Sequence, residues 1–482
     1  MLDLRPVGYV IGLLVAVLGL TMFGPFVADV LAGNGHWPTF LESGVVTLLT
    51  GGMMALASSN GVKEGLTLRQ TFLMSAGVWL ALPAFGSLPF IIGLPGMNVT
   101  DAFFESMSGL TTTGATVLSG IEDLPEGIKL WRGILQWIGG IGIIVFAMVF
   151  LPELKVGGMQ VFRSEAFDTM GKILPRAAEI AQSISVIYVA LTLACALAYM
   201  ACGMVPFDAV VHAMTTLSTG GFANSDASFS AYGAGAHYVS ALFMILAALP
   251  FVRYVQMING QALPLFKDAQ VRGFLTVILV CVIFVTLALF RFVHGFEEQA
   301  FREALFNVVS IMSGTGYASA DYMTWGSFCV TLFFFIGLIG GCAGSTACSV
   351  KIFRYQILMA SIGAQIRKIY SPHGVFVPRF DGRPVSEDVL NSVMAFFVAF
   401  IISVGIVSVC LSLTGLDFIT SVSGAATALA NIGPGLGSEI GPAGNFGGLN
   451  DVAKWILSFA MWFGRLEMLV VMAVFTVRMW RD

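Results

Sequence analysis

The sequence predicts an all-α polytopic membrane protein of ten transmembrane helices. Spans three to ten form four tandem span–short helix–span repeats, and spans one and two form an N-terminal pair. Three observations predict this. The 482 residues are 57% hydrophobic and only 11% charged, with a mean hydropathy of +0.87, whereas a soluble chain is nearer a quarter charged. Ten apolar runs each approach the ~20 residues that cross a bilayer. Four short segments recur between the later runs, each followed within three residues by a glycine.

The first run, 7–31, follows a single Arg5. It is too long for a signal-peptide core and lacks a clear small-residue cleavage site, which marks a retained span. With 43–60 it makes the N-terminal pair, residues 1–66. Spans 70–95 and 131–152 flank the short segment 101–112 in a repeat covering 67–155. Spans 179–204 and 237–258 flank 207–218 in a repeat covering 156–262. Spans 273–294 and 325–350 flank 302–314 in 263–372, and spans 388–414 and 452–477 flank 418–430 in 373–482. The short segments are amphipathic or rich in small residues. They are too short to span, so they are core or re-entrant helices.

Positive charge sets orientation. With the N-terminus in the cytoplasm, most of the 24 basic residues fall inside, including Lys63, Lys155, Arg163, Lys172, Arg176, Lys351, Arg354 and Arg481. Lys129, Arg132, Arg291, Arg302 and Lys454 fall outside. Both termini are then cytoplasmic, in a multi-pass protein of the cell inner membrane. All four short segments lie on the outer side. So do Asp101, Glu105, Glu122, Asp123, Glu126, Asp208, Asp226 and further acids. An acidic mouth would concentrate cations; ordinary solvated loop charge is the equal alternative.

Other chemistries find little support. The seven cysteines form no CxxC or Cys/His spacing, and most sit in apolar runs, where a thiol acts as a small hydrophobe. The five histidines are scattered without HExxH, and no Walker or GxGxxG pattern occurs. No enzyme activity, organic cofactor or nucleic-acid partner is expected.

The ends of the short segments carry the signal. They read Thr112-Thr113-Gly114, Ser218-Thr219-Gly220, Gly314-Thr315-Gly316 and Asn431-Ile432-Gly433. The glycines at 114, 220, 316 and 433 are 106, 96 and 117 residues apart, and each interval holds one span out, one span back and one short helix. Thr315-Gly316-Tyr317 is also a fragment of the loop that lines potassium-channel filters. The alternative is four glycine-rich turns that let helices approach. A dehydrated cation needs oxygen ligands to replace its water, and rings of backbone carbonyls supply them. Turning carbonyls towards one axis takes backbone angles that glycine adopts cheaply. Non-helical backbone at membrane depth is tolerated where it is buried in protein or lines a cavity. The C-terminal end of each short helix also favours a cation. The loops are neutral, which suits a monovalent ion; calcium or magnesium would bring carboxylates.

Two further features stand out. In Gly340-Gly341-Cys342-Ala343-Gly344-Ser345-Thr346-Ala347-Cys348-Ser349 nearly every residue is small. The run is either a loop broken within the membrane or a close-packing helix face. Arg465 lies near the middle of the last span, where a charge is costly and usually faces the interior with a function. Beneath the four loops it would repel cations. The structural alternative is a pairing with Glu467 or with helix-end carbonyls, and Glu467 is a poor partner because residues two apart on a helix do not face each other.

These residues resemble the Trk/Ktr/HKT superfamily of potassium transporters, most closely its Trk-type uptake subunits. The resemblance covers nearly the whole chain. It rests on the four loops, on Gln136-Trp137-Ile138-Gly139-Gly140-Ile141-Gly142, on Asn431-Ile432-Gly433-Pro434-Gly435-Leu436-Gly437, and on Gly464-Arg465-Leu466-Glu467. The extra N-terminal pair matches the Trk rather than the Ktr type. Glycine at 114 fits the K⁺-permitting form, since some HKT members carry serine there. The resemblance implies a pseudo-fourfold ion pore within one chain, a homodimer in membrane lipid, and a cytoplasmic ring of nucleotide-binding regulatory subunits. It also implies an intramembrane gating loop at Gly340, Gly341, Ala343, Gly344, Ser345 and Thr346, with Arg465 in the pore. Ala247-Ala248-Leu249-Pro250-Phe251, in the sixth span, departs from the expected glycine pair. The expected function is a K⁺-translocating pore subunit of an uptake system. The alternative is the ion-binding subunit of an ATP-driven potassium pump. No second intramembrane carboxylate relay stands out, which leans towards channel-like flow over H⁺ or Na⁺ symport.

Overall fold

The computed structural model describes residues 3–61, 66–94, 96–149, 158, 177–292 and 297–480. Lys63, Lys155, Arg163, Lys172, Arg176 and Arg481, which carry part of the orientation argument, lie outside the described residues, as does the repeat boundary at 155/156. Among the described residues seven helices are long and apolar enough to cross a membrane, and nine if each bent pair counts as one span.

The N-terminal pair consists of α1 (Arg5–Thr21) with α2 (Phe23–Ala32), and α3 (Trp37–Ser58). Small residues let α1 and α3 touch backbone to backbone. A Cβ at Gly12 would lie 2.6 Å from the Ala55 nitrogen, and one at Gly51 would lie 2.4 Å from the Ala16 nitrogen. This is the small-residue packing that lets membrane helices associate.

The first repeat comprises α4 (Leu68–Gly86), α5 (Leu88–Gly93), the short α6 (Val99–Leu110) and α7 (Glu126–Val149). The second comprises α8 (Ala177–Ala201), the short α9 (Pro206–Leu217), α10 (Ala234–Ala247) and α11 (Phe251–Ile258). After α12 (Leu263–Lys267), the third comprises α13 (Ala269–Phe292), the short α14 (Glu298–Ser313), α15 (Ser327–Gly337) and, past a buried loop, α16 (Ile352–Tyr370). A small antiparallel hairpin of β1 (Arg379–Phe380) and β2 (Arg383–Pro384) follows. The fourth comprises α17 (Glu387–Ser412), the short α18 (Phe418–Ala430), α19 (Asp451–Arg465), α20 (Met468–Val474) and α21 (Val477–Trp480).

The short helices start on side-chain caps where the sequence allows. Asn98 accepts from Asp101 N–H at the start of α6, and Asp417 from Thr420 N–H at the start of α18. Helix α6 has 12 residues, about 18 Å, too short to cross the roughly 30 Å hydrocarbon core of a bilayer. The end of each short helix is buried, with every residue from Ser423 to Ala430 enclosed in α18.

Three expected spans are broken. The run 237–258 turns by 89° between α10 and α11, at Pro250, which starts the new helix with an extended backbone (ψ 119°). The run 452–477 turns by 107° between α19 and α20, at Glu467, whose φ is +61°. The run 325–350 stays helical only to Gly337, and positive φ at Gly340 and Gly344 carries the chain on as loop.

Candidate functional site

The four short helices end in one shared geometry. Thr112, Thr219, Gly314 and Asn431 each have φ between +50° and +80°. The N–H of the next residue turns back five positions: Thr113 to Ser108, Gly220 to Thr215, Thr315 to Ser310, and Ile432 to Thr427, at 2.9–3.1 Å. This is a left-handed helix stop that satisfies carbonyls left over at the helix end. A glycine with positive φ follows: Gly114 (+83°), Gly221 (+81°), Gly316 (+81°) and Gly433 (+105°).

In the second loop the equivalent glycine is therefore Gly221, and the expected triplet Ser218-Thr219-Gly220 shifts to Thr219-Gly220-Gly221. Gly220 is glycine for another reason. A Cβ there would lie 2.4 Å from the Gln136 side chain. The Gln136 amide donates to the Gly220 carbonyl at 2.6 Å and accepts from Phe222 N–H at 3.0 Å.

The loops close on each other. A Cβ at Gly114 would lie 2.1 Å from the Gly220 carbonyl oxygen, and one at Gly221 would lie 1.9 Å from that of Thr315. A Cβ at Gly316 would lie 2.0 Å from the Ile432 carbonyl oxygen, and one at Gly433 2.7 Å from that of Thr113. First meets second, second third, third fourth, and fourth first. Only glycine fits these contacts, and only glycine takes these angles cheaply.

The ring is braced from behind. Arg132, on α7, donates to Glu105 of α6 at 2.9 Å and to the Ala223 carbonyl at 2.8 Å, with its guanidinium over the Phe222 ring. Glu105 in turn accepts from Thr116 and from Val117 N–H. Both side chains are buried. Glu105 therefore belongs to the brace and not to an external acidic mouth, because its charge is spent on an arginine and two donors. Tyr317, beyond the third loop, bonds Thr215 on α9. The motif glycines admit the helix ends. A Cβ at Gly139 would lie 1.9 Å from the Leu110 carbonyl oxygen, and one at Gly464 would lie 2.0 Å from that of Leu429.

A cavity of about 220 Å³ lies on one side of the ring, lined by the four central glycines and reaching Arg132 and Asp226. At its rim the Ser225 hydroxyl and Asp226 N–H donate to Glu122. The Ser225 bond holds the Glu122 carboxyl below the usual carboxylate range.

The small-residue run lies on the other side as a loop, buried from Gly340 to Cys348. It docks on the break in the second repeat. Cys342 N–H donates to the Ala248 carbonyl at 3.0 Å, Thr346 N–H to that of Ala247 at 3.3 Å, and Phe251 N–H to that of Gly344 at 2.9 Å. Ala343 N–H donates to the Gln270 side chain at 2.8 Å, and Ser345 bonds back to the Cys342 carbonyl. Gly341 packs so closely that a Cβ would meet Ala347 at 2.5 Å. Where the sequence lacks a glycine pair, at Ala247-Ala248, the helix instead ends and offers its free carbonyls to this loop.

The loop tip touches the ring. Cys348 Sγ is 3.6 Å from Thr112 Oγ1, and Ser349 N–H donates to the Ala430 carbonyl at 3.0 Å. Arg465 is buried at 5% exposure. It donates to Cys348 Sγ at 2.7 Å and to the Gly139 carbonyl at 3.4 Å, while its Nε has no partner among the described residues. Glu467 pairs with Arg354 at 2.6 Å. A cavity of about 40 Å³ here is lined by Cys348, Lys351, Arg354, Asn431, Arg465 and Glu467, among others. The sequence reading missed Gln136, Arg132 with Glu105, and Arg354 with Glu467. Arg354 sits in a mixed apolar and polar stretch, Lys351-Ile352-Phe353-Arg354-Tyr355-Gln356, and its partner is 113 residues away, so no local pattern announces the pair.

Residues 36–482 match the TrkH family, cation transport protein. The Trk system potassium uptake protein TrkI of Halomonas elongata is 47% identical over 416 residues, covering 86% of this chain and 84% of its own. The Trk system potassium uptake protein TrkH of Vibrio parahaemolyticus is 36% identical over the whole of both chains. The crystal structure of the potassium transporter TrkH from Vibrio parahaemolyticus superposes with a TM-score of 0.91 at 34% identity, covering 100% of both chains.

Proposed function

The chain belongs to the TrkH family of cation transport proteins and is a membrane subunit of a Trk potassium uptake system, and we propose that it selects K⁺ in the ring of four loops and gates the pore with the loop beneath them. The observation that carries this reading is the closed cycle of glycine-to-carbonyl contacts from Gly114 to Gly433. Each contact sets the carbonyl of Gly220, Thr315, Ile432 or Thr113 against the glycine of a neighbouring loop, which supports a ring of four carbonyls around one centre. Such a set replaces the hydration shell of a weakly hydrated monovalent cation.

The 340–349 loop closes the inner side, and Arg465 adds an electrostatic barrier. A like charge ~6 Å from a passing cation, at an effective dielectric of ~20, repels it by about 3 kcal/mol, about a hundredfold in rate. The barrier lifts when the loop leaves the Ala247 and Ala248 carbonyls and Cys348 moves away from Thr112. The same reading includes a homodimer, both termini in the cytoplasm, and a nucleotide-binding cytoplasmic partner that moves the loop. The outer cavity is the ion entrance.

Flux into liposomes of purified protein tests this, with K⁺, Rb⁺, Na⁺ and Li⁺ in turn and no ATP. Passive flux favouring K⁺ and Rb⁺ is expected. Flux that requires ATP and a separate ATPase would point to a pump subunit instead. Equal flux of all four ions would overturn the filter.

A further inference from the structure

Three of the four contacts in the ring are equally tight and one is not. Contacts one-to-two, two-to-three and three-to-four would place a Cβ at 2.1, 1.9 and 2.0 Å from the neighbouring carbonyl, but four-to-one would place it at 2.7 Å. This looser seam joins the last repeat to the first, where no connecting chain segment helps to hold the register. A side chain bridges it. Asn431 Nδ2 donates to Thr113 Oγ1 and to the Met461 carbonyl, both at 2.9 Å. Thr113 Oγ1 is also 2.8 Å from Thr111 Oγ1. Asn431 and Thr113 are both buried.

At the corresponding place the other loops carry Thr112, Thr219 and Gly314. The threonine hydroxyls there turn elsewhere, to Cys348 and to the Ser218 carbonyl. The amide is thus special to the fourth loop. It supplies two donors at once, one to the neighbouring loop and one to α19, four residues before Arg465. Asparagine also tolerates the left-handed conformation this position takes, with φ +52°.

We propose that Asn431 is a specificity-determining positioning residue: its amide closes the ring at the four-to-one seam, holds the Thr113 carbonyl in place, and ties that seam to α19. The proposal rests on the reading of the four loops as a K⁺ filter. In the snug-fit account of selectivity, a ring discriminates K⁺ from the smaller Na⁺ because its carbonyls cannot follow the smaller ion inward. The loosest seam is where such movement begins, so a clip there acts on selectivity more than on total flux.

The test compares K⁺ and Na⁺ flux in liposomes for the parent protein and four variants. Asn431→Gly keeps the left-handed conformation and removes the amide. Thr113→Val removes the acceptor at nearly constant shape, and Thr113→Ser restores it. The fourth variant is the double Asn431→Gly, Thr113→Val. The K⁺/Na⁺ flux ratio should fall about fivefold in each of the first two, the factor one net hydrogen bond supports. Thr113→Ser should recover most of the loss seen in Thr113→Val. The double variant should lose no more than either single one, as for two residues sharing one interaction. An unchanged ratio in folded Asn431→Gly, or losses that multiply in the double variant, would overturn the clip. If Asn431→Gly does not fold, the contrast between valine and serine at 113 decides by itself. A parent protein without K⁺ preference would instead remove the filter reading on which the clip rests.

Discussion

Gly220 and Gly221 are neighbours with different tasks, and substitution separates them. A side chain at Gly221 meets the Thr315 carbonyl, which is backbone, and adopts a φ of +81°. A side chain at Gly220 meets the end of Gln136, which can move. Gly221→Ser and Gly316→Ser should therefore both lower K⁺ over Na⁺ discrimination. The loss in Gly220→Ala should be partly relieved by Gln136→Ala, read as the flux ratio of single and double variants. Relief of Gly221→Ser by Gln136→Ala would contradict the register. The Arg132–Glu105 pair lies fully out of solvent, and removing one member of a buried pair costs about 3–5 kcal/mol because the other charge stays behind. Arg132→Met should lower the thermal midpoint of the purified protein by several degrees, and Arg132→Met with Glu105→Met should recover part of it; an unshifted midpoint would remove the brace. At the rim, the depressed pKa of Glu122 means its bonds to Ser225 and Asp226 are fully present above the usual carboxylate range and are lost as pH falls through the folded pKa. Protection of the Asp226 amide from hydrogen exchange should follow that course.

Among elements, the buried loop from Gly340 to Cys348 is held by backbone bonds to a helix that was ended for it. Pro250 and the 89° turn free the Ala247 and Ala248 carbonyls, and those carbonyls take two of the loop's N–H groups. Deleting several residues within 341–346 should raise basal K⁺ flux, and so should Arg465→Gln, by up to about a hundredfold. Unaltered flux in both would remove the gate. The Arg354–Glu467 pair joins the helix after the loop to the break in the last span. Glu467 sits at φ +61°, a conformation a non-glycine residue keeps only when its surroundings insist. Glu467→Gln, which weakens that pairing, should loosen the inner side and raise basal flux without altering the K⁺/Na⁺ ratio.

At the scale of the whole molecule, the repeat was legible because its chemistry leaves marks at fixed places. Each of the four helices that end at the ring is short, and each of the four loops turns on a glycine, so spacing and residue type both recur. The register of the second loop was not legible, since Thr219-Gly220-Gly221 offers two glycines and only the φ angles separate them. Broken spans look continuous in a hydropathy window, because apolar residues persist through 237–258 and 452–477 whether or not the helix does. The pairs Arg132–Glu105 and Arg354–Glu467 depend on which faces meet across repeats, which residue order alone does not state. Glu105 looked like a mouth residue because it lies in an outer-side segment; packing against α7 buries it. In the proposed reading these distant segments make one ion site. Anomalous diffraction from crystals grown in Rb⁺ is the direct test. A peak is expected on the axis between the carbonyls of Thr113, Gly220, Thr315 and Ile432. Rb⁺ bound only elsewhere, with the ring ordered and empty, would contradict it.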